Sequence, residues 1–299
     1  MKMLNFGSVN LDYVYHLNHF VQPGETILSH QRETNCGGKG LNQSIALAKT
    51  GLLVYHAGIS GYDGALLREY LQQNHVDITF LKEIPELSGH TIIQVTPQGE
   101  NCIILYPGAN AKIDHSHIDF VLSHFEKGDI CLIQNEISCI DYLIEQASKK
   151  ELTIVFNPSP YTPELSTYPL NKVSYLILNE IEGEQITGQS SSAQILSTLQ
   201  QQYPQLKIIL TLGESGAIYQ DSCQQIKQPI FSTNTVDTTA AGDTFTGYFI
   251  YSIQKGLSPK DGLILASAAA AIAVSRSGAA CSIPSLKEVN CFLENQKTC

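Results

Sequence analysis

The sequence predicts an α/β fold: a mainly parallel central sheet flanked by helices, with a small second β-sheet beside it. From the middle of the chain onward, short apolar runs alternate with helical patterns, which is the signature of βα units. The first third instead holds extended segments with polar interruptions, which suits a separate, smaller sheet. Only 15% of the 299 residues are charged, a globular composition in which one core can serve the whole length.

Taken in order, residues 3–8 read as a core strand, and 9–15 and 26–34 as extended segments of the small sheet. The Gly-rich stretch Cys36-Gly37-Gly38-Lys39-Gly40-Leu41-Asn42-Gln43 opens a helix that Gly51 terminates. Residues 91–96 and 102–106 are extended and joined by Pro97-Gln98-Gly99-Glu100, a hairpin signal. His115 and His117 flank Ser116 at what reads as a solvated helix start. Strands follow at 129–134, 152–156, 175–178 and 207–212, and helices at 138–149, 191–202, 241–255, 258–274 and 285–294. The Ser258-Pro259 pair supplies an N-cap followed by Pro at the first helical position. No repeat or linker divides the chain, so residues 1–299 are expected to form a single domain.

A formal charge of −10, from 18 Lys plus Arg against 28 Asp plus Glu, argues against a nucleic-acid footprint, and any anionic ligand must be held locally. Residues 263–274, the longest uncharged apolar stretch, fall short of the roughly 20 needed to cross a bilayer and read as a buried helix. The N-terminus lacks a secretory pattern, which gives a cytoplasmic expectation with no membrane partner. Cys36, Cys102, Cys131, Cys139, Cys223, Cys281, Cys291 and Cys299 form no CxxC pair and read as reduced thiols, mostly core filler.

Chemistry is concentrated in Asp237-Thr238-Thr239-Ala240-Ala241-Gly242-Asp243-Thr244-Phe245. Small residues opening a helix leave N–H groups accessible to an anion, while a purely structural helix cap is the plain alternative. In the Gly-rich stretch, Gly38 and Asn42 share one face of the first turn, where a polyol can approach closely. Neither GxxxxGK[ST] nor GxGxxG occurs, which removes the common P-loop and dinucleotide readings. Asn179-Glu180-Ile181-Glu182 resembles a capping box, although the same carboxylate suits hydrated magnesium between phosphates. Thr211-Leu212-Gly213-Glu214-Ser215-Gly216 ends a strand as a tight turn whose glycines also admit a nucleotide. Asn10, Asp12 and Glu136 follow strands, where carboxylates and amides suit a hydroxyl-rich ligand and where α/β sheets gather ligands.

These segments together resemble the ribokinase family of carbohydrate kinases. The resemblance runs in order from Gly7-Ser8-Val9-Asn10-Leu11-Asp12 through Pro23-Gly24-Glu25-Thr26, the Gly37-to-Gln43 stretch, Gly108-Ala109-Asn110-Ala111, Asn157-Pro158, Asn179-Glu180, Thr211-Leu212-Gly213 and Ala240-Ala241-Gly242-Asp243 to Gly278-Ala279. It departs from the usual pattern at Cys36, Leu41, Ser267 and Tyr106-Pro107. It implies a Rossmann-like kinase with a β lid from segments near 10–36 and 88–108, paired between subunits as a homodimer. It further implies ATP-dependent phosphorylation of a sugar, first of D-ribose at its 5-hydroxyl, with magnesium and potassium. A kinase of 2-deoxyribose or a nucleoside, and a non-catalytic sugar-binding regulator, are the rivals. By match, Asp243 is the catalytic base and Ala240, Ala241, Gly242 and Asp243 the anion hole. Asn10, Asp12, Gly38, Lys39, Asn42, Glu136 and Asp243 contact sugar, and Asn179, Thr211, Gly213, Gly216, Gly242 and Ser267 contact ATP. Glu182 is the magnesium-associated carboxylate, and Asp237, Thr239, Ala273, Arg276, Gly278 and Ser282 form the potassium loop.

Overall fold

Alternation along the strands decides the layering. The computed structural model describes residues 1–297 and contains, in chain order, β1 (Met3–Phe6), β2 (Asn10–His16), β3 (Gln31–Gly37), α1 (Lys39–Lys49), β4 (Val54–Gly61), α2 (Ala65–Gln73), β5 (Val76–Ile84), β6 (Gly89–Val95), β7 (Asn101–Tyr106), α3 (His115–Leu122), β8 (Ile130–Gln134), α4 (Ile140–Lys149), β9 (Thr153–Asn157), β10 (Tyr175–Asn179), α5 (Glu180–Thr187), α6 (Ser192–Gln202), β11 (Lys207–Thr211), β12 (Ala217–Gln220), β13 (Gln225–Gln228), α7 (Ala241–Gln254), α8 (Pro259–Val274) and α9 (Leu286–Lys297). A nine-stranded sheet runs β13-β12-β11-β10-β9-β8-β1-β4-β5, with every pairing parallel except those of β12 with β11 and with β13. Leu4, Phe6, Cys131, Ile133, Leu176 and Leu178 face one core, with α3, α4 and α6. Their neighbours Met3, Ile130, Leu132 and Ile177 face the other, with α1, α2, α7, α8 and α9. Both faces are covered, which is why these strands read as continuous apolar runs.

The small sheet runs β3-β2-β6-β7, and the Pro97-to-Glu100 hairpin closes with Gly99 N–H donating to the Thr96 carbonyl. The α/β class with a small second sheet is therefore the fold. The first third contributes more to the main sheet than its sequence suggests, because β4 and β5 extend that sheet on the far side of β1. The extended segment expected at 26–34 is displaced to Gln31–Gly37, where it pairs with β2 from Gly37 opposite Asn10 to Gln31 opposite His16.

Two local expectations are corrected. His117 is buried, not solvated: its ring packs edge-on against Phe6, and Nε2 lies 3.2 Å from the Gly58 carbonyl. Cysteine is not mainly core filler, since Cys102, Cys223, Cys281 and Cys291 are exposed and only Cys131 of the described thiols is buried; Cys299 lies outside the described residues.

Among the described residues no helix is long and apolar enough to cross a membrane. Helix α8 is buried along much of its length, and Ser258 caps it by accepting from Asp261 N–H at 3.2 Å. Helices α1 and α7 cross where Gly247 meets Ala46. A Cβ on Gly247 would stand 2.5 Å from the Ala46 Cβ, so the two helices approach closely only because that position carries hydrogen.

Candidate active site

The neighbours β1 and β8 form the point at which the chain reverses its direction of travel across the sheet, and the loops leaving them meet. Ser8 Oγ donates to Glu136 Oε2 at 2.5 Å, and the Lys39 N–H donates to the same oxygen at 3.0 Å. Gly38, at φ 92°, turns the chain from β3 into α1 and so aims the first turn of α1 at this junction. Burial pushes the Glu136 carboxyl above its usual range, against the opposing pull of Lys39 and Ser8.

The small sheet brings Asn10 and Asp12 to the same place. Asn110 clamps the start of β2: Oδ1 accepts from Val9 N–H at 3.1 Å, and Nδ2 donates to Asn10 Oδ1 at 2.8 Å. Thr91, opposite Asp12 on β6, donates its hydroxyl to Asp12 Oδ1 at 2.5 Å. Burial nevertheless raises the Asp12 carboxyl to about 6, with Glu136 adding repulsion and Thr91 opposing the rise.

Asp243 lies in the first turn of α7, behind Ala240, which caps the helix at φ 58° in the left-handed region. Thr244 donates both its N–H and its hydroxyl to the Ala240 carbonyl at 2.8 Å, holding that turn. The Ala241 N–H donates to the Thr238 carbonyl at 3.2 Å, while those of Ala240, Gly242 and Asp243 lie in the same helix start. Asn42 Nδ2 donates to Asp243 Oδ2 at 3.0 Å and Gln43 Nε2 to Oδ1 at 2.8 Å. Burial works against the charge of Lys39, but Asp243, Glu136 and Glu182 together hold its ammonium above the ordinary lysine range.

Beside Asp243 runs a groove made of two adjoining cavities. The polar one, about 260 Å³, is lined by Lys39, Asn157, Asn179, Glu182, Ala240 and Asp243. The other, about 310 Å³, has Phe231, Phe245, Ala270, Ala271, Val274 and Ser267 in its wall, with Gly213 and Gly216 at its edge. Thr211, Thr238 and Gly242 line both, so the cavities are continuous. That layout suits a ligand with a flat apolar end and an anionic tail. Glu182 forms the expected capping box, accepting from Asn179 N–H at 3.0 Å while its own N–H donates to Asn179 Oδ1 at 2.8 Å. It also lines the polar cavity, so the cap and the ligand-facing role coexist.

Asp237 sits behind this helix start. Burial raises its carboxyl, but N–H bonds from Thr239 and Gly278, each 2.9 Å, hold it below its usual range. Its own N–H donates to the Val274 carbonyl, and Arg276 N–H to that of Ala273, which brings these segments together. The Arg276 side chain points away, to Glu288 at 2.6 Å, and Ser282 turns to the Ala279 carbonyl. Arg276 is therefore placed to offer this loop its backbone, not its guanidinium.

Ser8, Gln43, Thr91 and Asn110 also shape the site, though sequence reasoning gave them no role. Ser8, Gln43 and Asn110 lie inside motif stretches and were legible there; Thr91 becomes visible only through its pairing across β2 and β6.

The model of the pfkB family carbohydrate kinases matches residues 2–286. The chain belongs to the pfkB family of carbohydrate kinases. As a member of that family it is a phosphotransferase acting on a sugar hydroxyl. This pfkB-family kinase is 31% identical to the ribokinase of Haemophilus influenzae across 97% of both chains, and 29% identical to a deoxyribokinase of Salmonella typhi across 98% of this chain and 99% of that one. Its fold superimposes on the ribokinase of Thermotoga maritima with a TM-score of 0.89 at 31% identity, covering 99% of this chain and 100% of that one. Against the ribokinase of Arabidopsis thaliana complexed with ribose and ATP, the TM-score is 0.87 at 28% identity over 98% of each chain.

Proposed function

We propose that this kinase is an ATP-dependent ribokinase that transfers the γ-phosphoryl group to the 5-hydroxyl of D-ribose. One observation carries the reading: Asp243 stands between the polar cavity and the Gly38-to-Asn42 turn, with donors from α1 fixing both its oxygens. The ribokinase names of the H. influenzae and T. maritima proteins, and the ribose and ATP of the A. thaliana complex, support the substrates.

In this mechanism Asn10, Asp12, Gly38, Asn42 and Glu136 hold the sugar hydroxyls, the carboxylates each accepting from them. The base occupies the apolar cavity beside Gly213, Gly216 and Ser267, and the phosphates run past Asn179, Thr211 and Lys39 toward the N–H groups of Gly242 and Asp243. Asp243 orients the attacking hydroxyl and takes its proton as the new O–P bond forms and the bond to the β-phosphate oxygen breaks. Lys39 and the helix start stabilise charge on the transferring group, which is most of what such a loose transition state requires. Glu182 fits magnesium: it is buried, lies in the polar cavity and spends one oxygen on the cap. Magnesium, when bound, neutralises phosphate charge. Asp237, Thr239, Ala273, Arg276, Gly278 and Ser282 suit potassium, since the loop offers backbone carbonyls and a carboxylate already oriented by N–H donors. The small sheet serves as a lid within one domain, and the exposed side chains of β7, at its open edge, suit pairing of lids in a cytoplasmic homodimer.

The Salmonella typhi relative favours 2-deoxyribose as the second reading. A substrate panel decides between the two. Losing a hydrogen bond to a charged partner costs about 1.5–3 kcal/mol, so ribose should exceed 2-deoxyribose about ten- to a hundredfold in kcat/KM. Equal or better turnover of 2-deoxyribose transfers the assignment. In the same assay, Asp243→Asn should lower kcat about 10²- to 10⁴-fold with ribose binding changed much less; near-normal turnover removes Asp243 from the mechanism.

A further inference from the structure

Behind Asp243 lies a chain of buried side chains that no substrate touches in the mechanism above. Gln43 donates from Nε2 to both Asp243 Oδ1, at 2.8 Å, and Asn157 Oδ1, at 3.0 Å. Its Oε1 accepts from Gln134 Nε2 at 2.7 Å, and that same nitrogen donates to Asn5 Oδ1 at 2.8 Å. Asn5 Nδ2 in turn donates to the Gly40 carbonyl at 2.7 Å and to Ser44 Oγ at 2.8 Å, and Ser44 Oγ lies 2.8 Å from His56 Nδ1. Asn5, Gln43, Ser44, His56 and Gln134 are all fully buried. Burial keeps His56 neutral, with its ring held down to about 3, so the chain consists of neutral dipoles ending on one carboxylate.

An amide can be turned round, and a reversed Gln43 would aim its carbonyl at Asp243. Two backbone carbonyls forbid that. The Ile177 carbonyl, which only accepts, takes Asn157 Nδ2 at 2.8 Å, so Asn157 must show its oxygen to Gln43. The Gly40 carbonyl does the same to Asn5, so Asn5 shows its oxygen to Gln134, and Gln134 its nitrogen to Gln43. The polarity of Gln43 is thus imposed independently from each end.

We propose that Gln43 is a positioning residue for phosphoryl transfer, its N–H fixing the Asp243 carboxylate against the acceptor hydroxyl, and that Gln134 serves the same end one step further back by locking the Gln43 amide. The inference rests on the assignment of Asp243 as the base. Its distinctive consequence is that polarity matters more than shape at position 43. A carboxyl group there has the outline of Gln43 but offers at most one donor, and that only when protonated, to the oxygens of Asp243 and Asn157, where the amide offers two.

The test compares Gln43→Met, Gln43→Glu and Gln134→Met with the parent enzyme and with Asp243→Asn, reading kcat, ribose affinity by calorimetry and melting temperature, with kinetics run well below every melting point. Misplacement of a reacting group by about 1 Å can cost about a hundredfold. The expected result is a fall in kcat of about ten- to a hundredfold for Gln43→Met and about three- to tenfold for Gln134→Met, with ribose affinity within about twofold of the parent. Gln43→Glu should fall below Gln43→Met. Turnover within twofold of the parent in both methionine variants overturns the proposal, and so do parallel losses of ribose affinity and kcat, which would mark a packing role. Normal turnover of Asp243→Asn overturns the underlying assignment instead, whatever the glutamine variants do.

Discussion

Asp12 is a carboxylate that the fold makes reluctant to ionise. Burial, with Glu136 adding repulsion, lifts it to about 6, while Thr91 supplies one donor. In the proposed mechanism sugar hydroxyls donate to the ionised form, so ribose affinity should rise as pH climbs through 6. Between pH 5 and 7.5 the ionised fraction changes about tenfold, and calorimetric affinity should follow it by a similar factor. Stability moves the opposite way. A carboxyl raised on folding binds more protons native than unfolded, so its contribution is complete below the usual carboxylate range and is lost as pH rises through about 6. Asp12→Asn keeps an acceptor for Thr91, so it should abolish both trends, with a melting temperature at pH 7.5 no lower than the parent's and ribose affinity weakened about ten- to a hundredfold. A parent affinity that does not vary over this pH range would show that Asp12 is not a sugar-binding carboxylate.

At the scale of elements, the proposed mechanism gives the first turn of α5 a second function beside its capping box, and one substitution separates the two. Glutamine can replace glutamate in a capping box, so Glu182→Gln should preserve melting temperature to within a few degrees while raising the magnesium concentration for half-maximal rate about tenfold. Unaltered magnesium dependence would leave Glu182 only its cap. The capping box and the Ser258-Pro259 start of α8 were legible because each is written in adjacent residues. Asn42 was legible beside Gly38 for the same reason. The unit β4, α2 and β5 was not: Val54–Gly61 mixes His, Ser and Gly with its apolar residues, and α2 begins at Gly64 with no side-chain cap. Its place in the sheet comes from pairing with β1, which is tertiary information. His117 likewise reads as solvated until Phe6 and Gly58, distant in sequence, cover it. In the site, the residues at the start of α7 could be read from the motif, but the Gln134–Gln43 relay depends on strands whose neighbours no local pattern names.

For the molecule as a whole, the hydrogen bond from Gly278 N–H to Asp237 ties the segment before α7 to the segment after α8, so ordering this junction should reach the helix start beside Asp243. Activity at matched ionic strength should be several-fold higher in potassium than in sodium or a large organic cation; equal rates in all three would count against a cation there. A second whole-molecule constraint comes from the crossing of α1 and α7 at Gly247 and Ala46. In the proposed mechanism one helix carries the turn that holds the sugar and the other the turn that faces the nucleotide, so their separation would work as a gauge block between acceptor and donor. Gly247→Ala inserts a methyl where only 2.5 Å is available, and the helices must spread. Each substrate should then still dock on its own helix with near-normal affinity, while turnover falls about a hundredfold because the gap has widened. The tolerance of the reaction is machined into the interior, at a contact that neither substrate ever reaches.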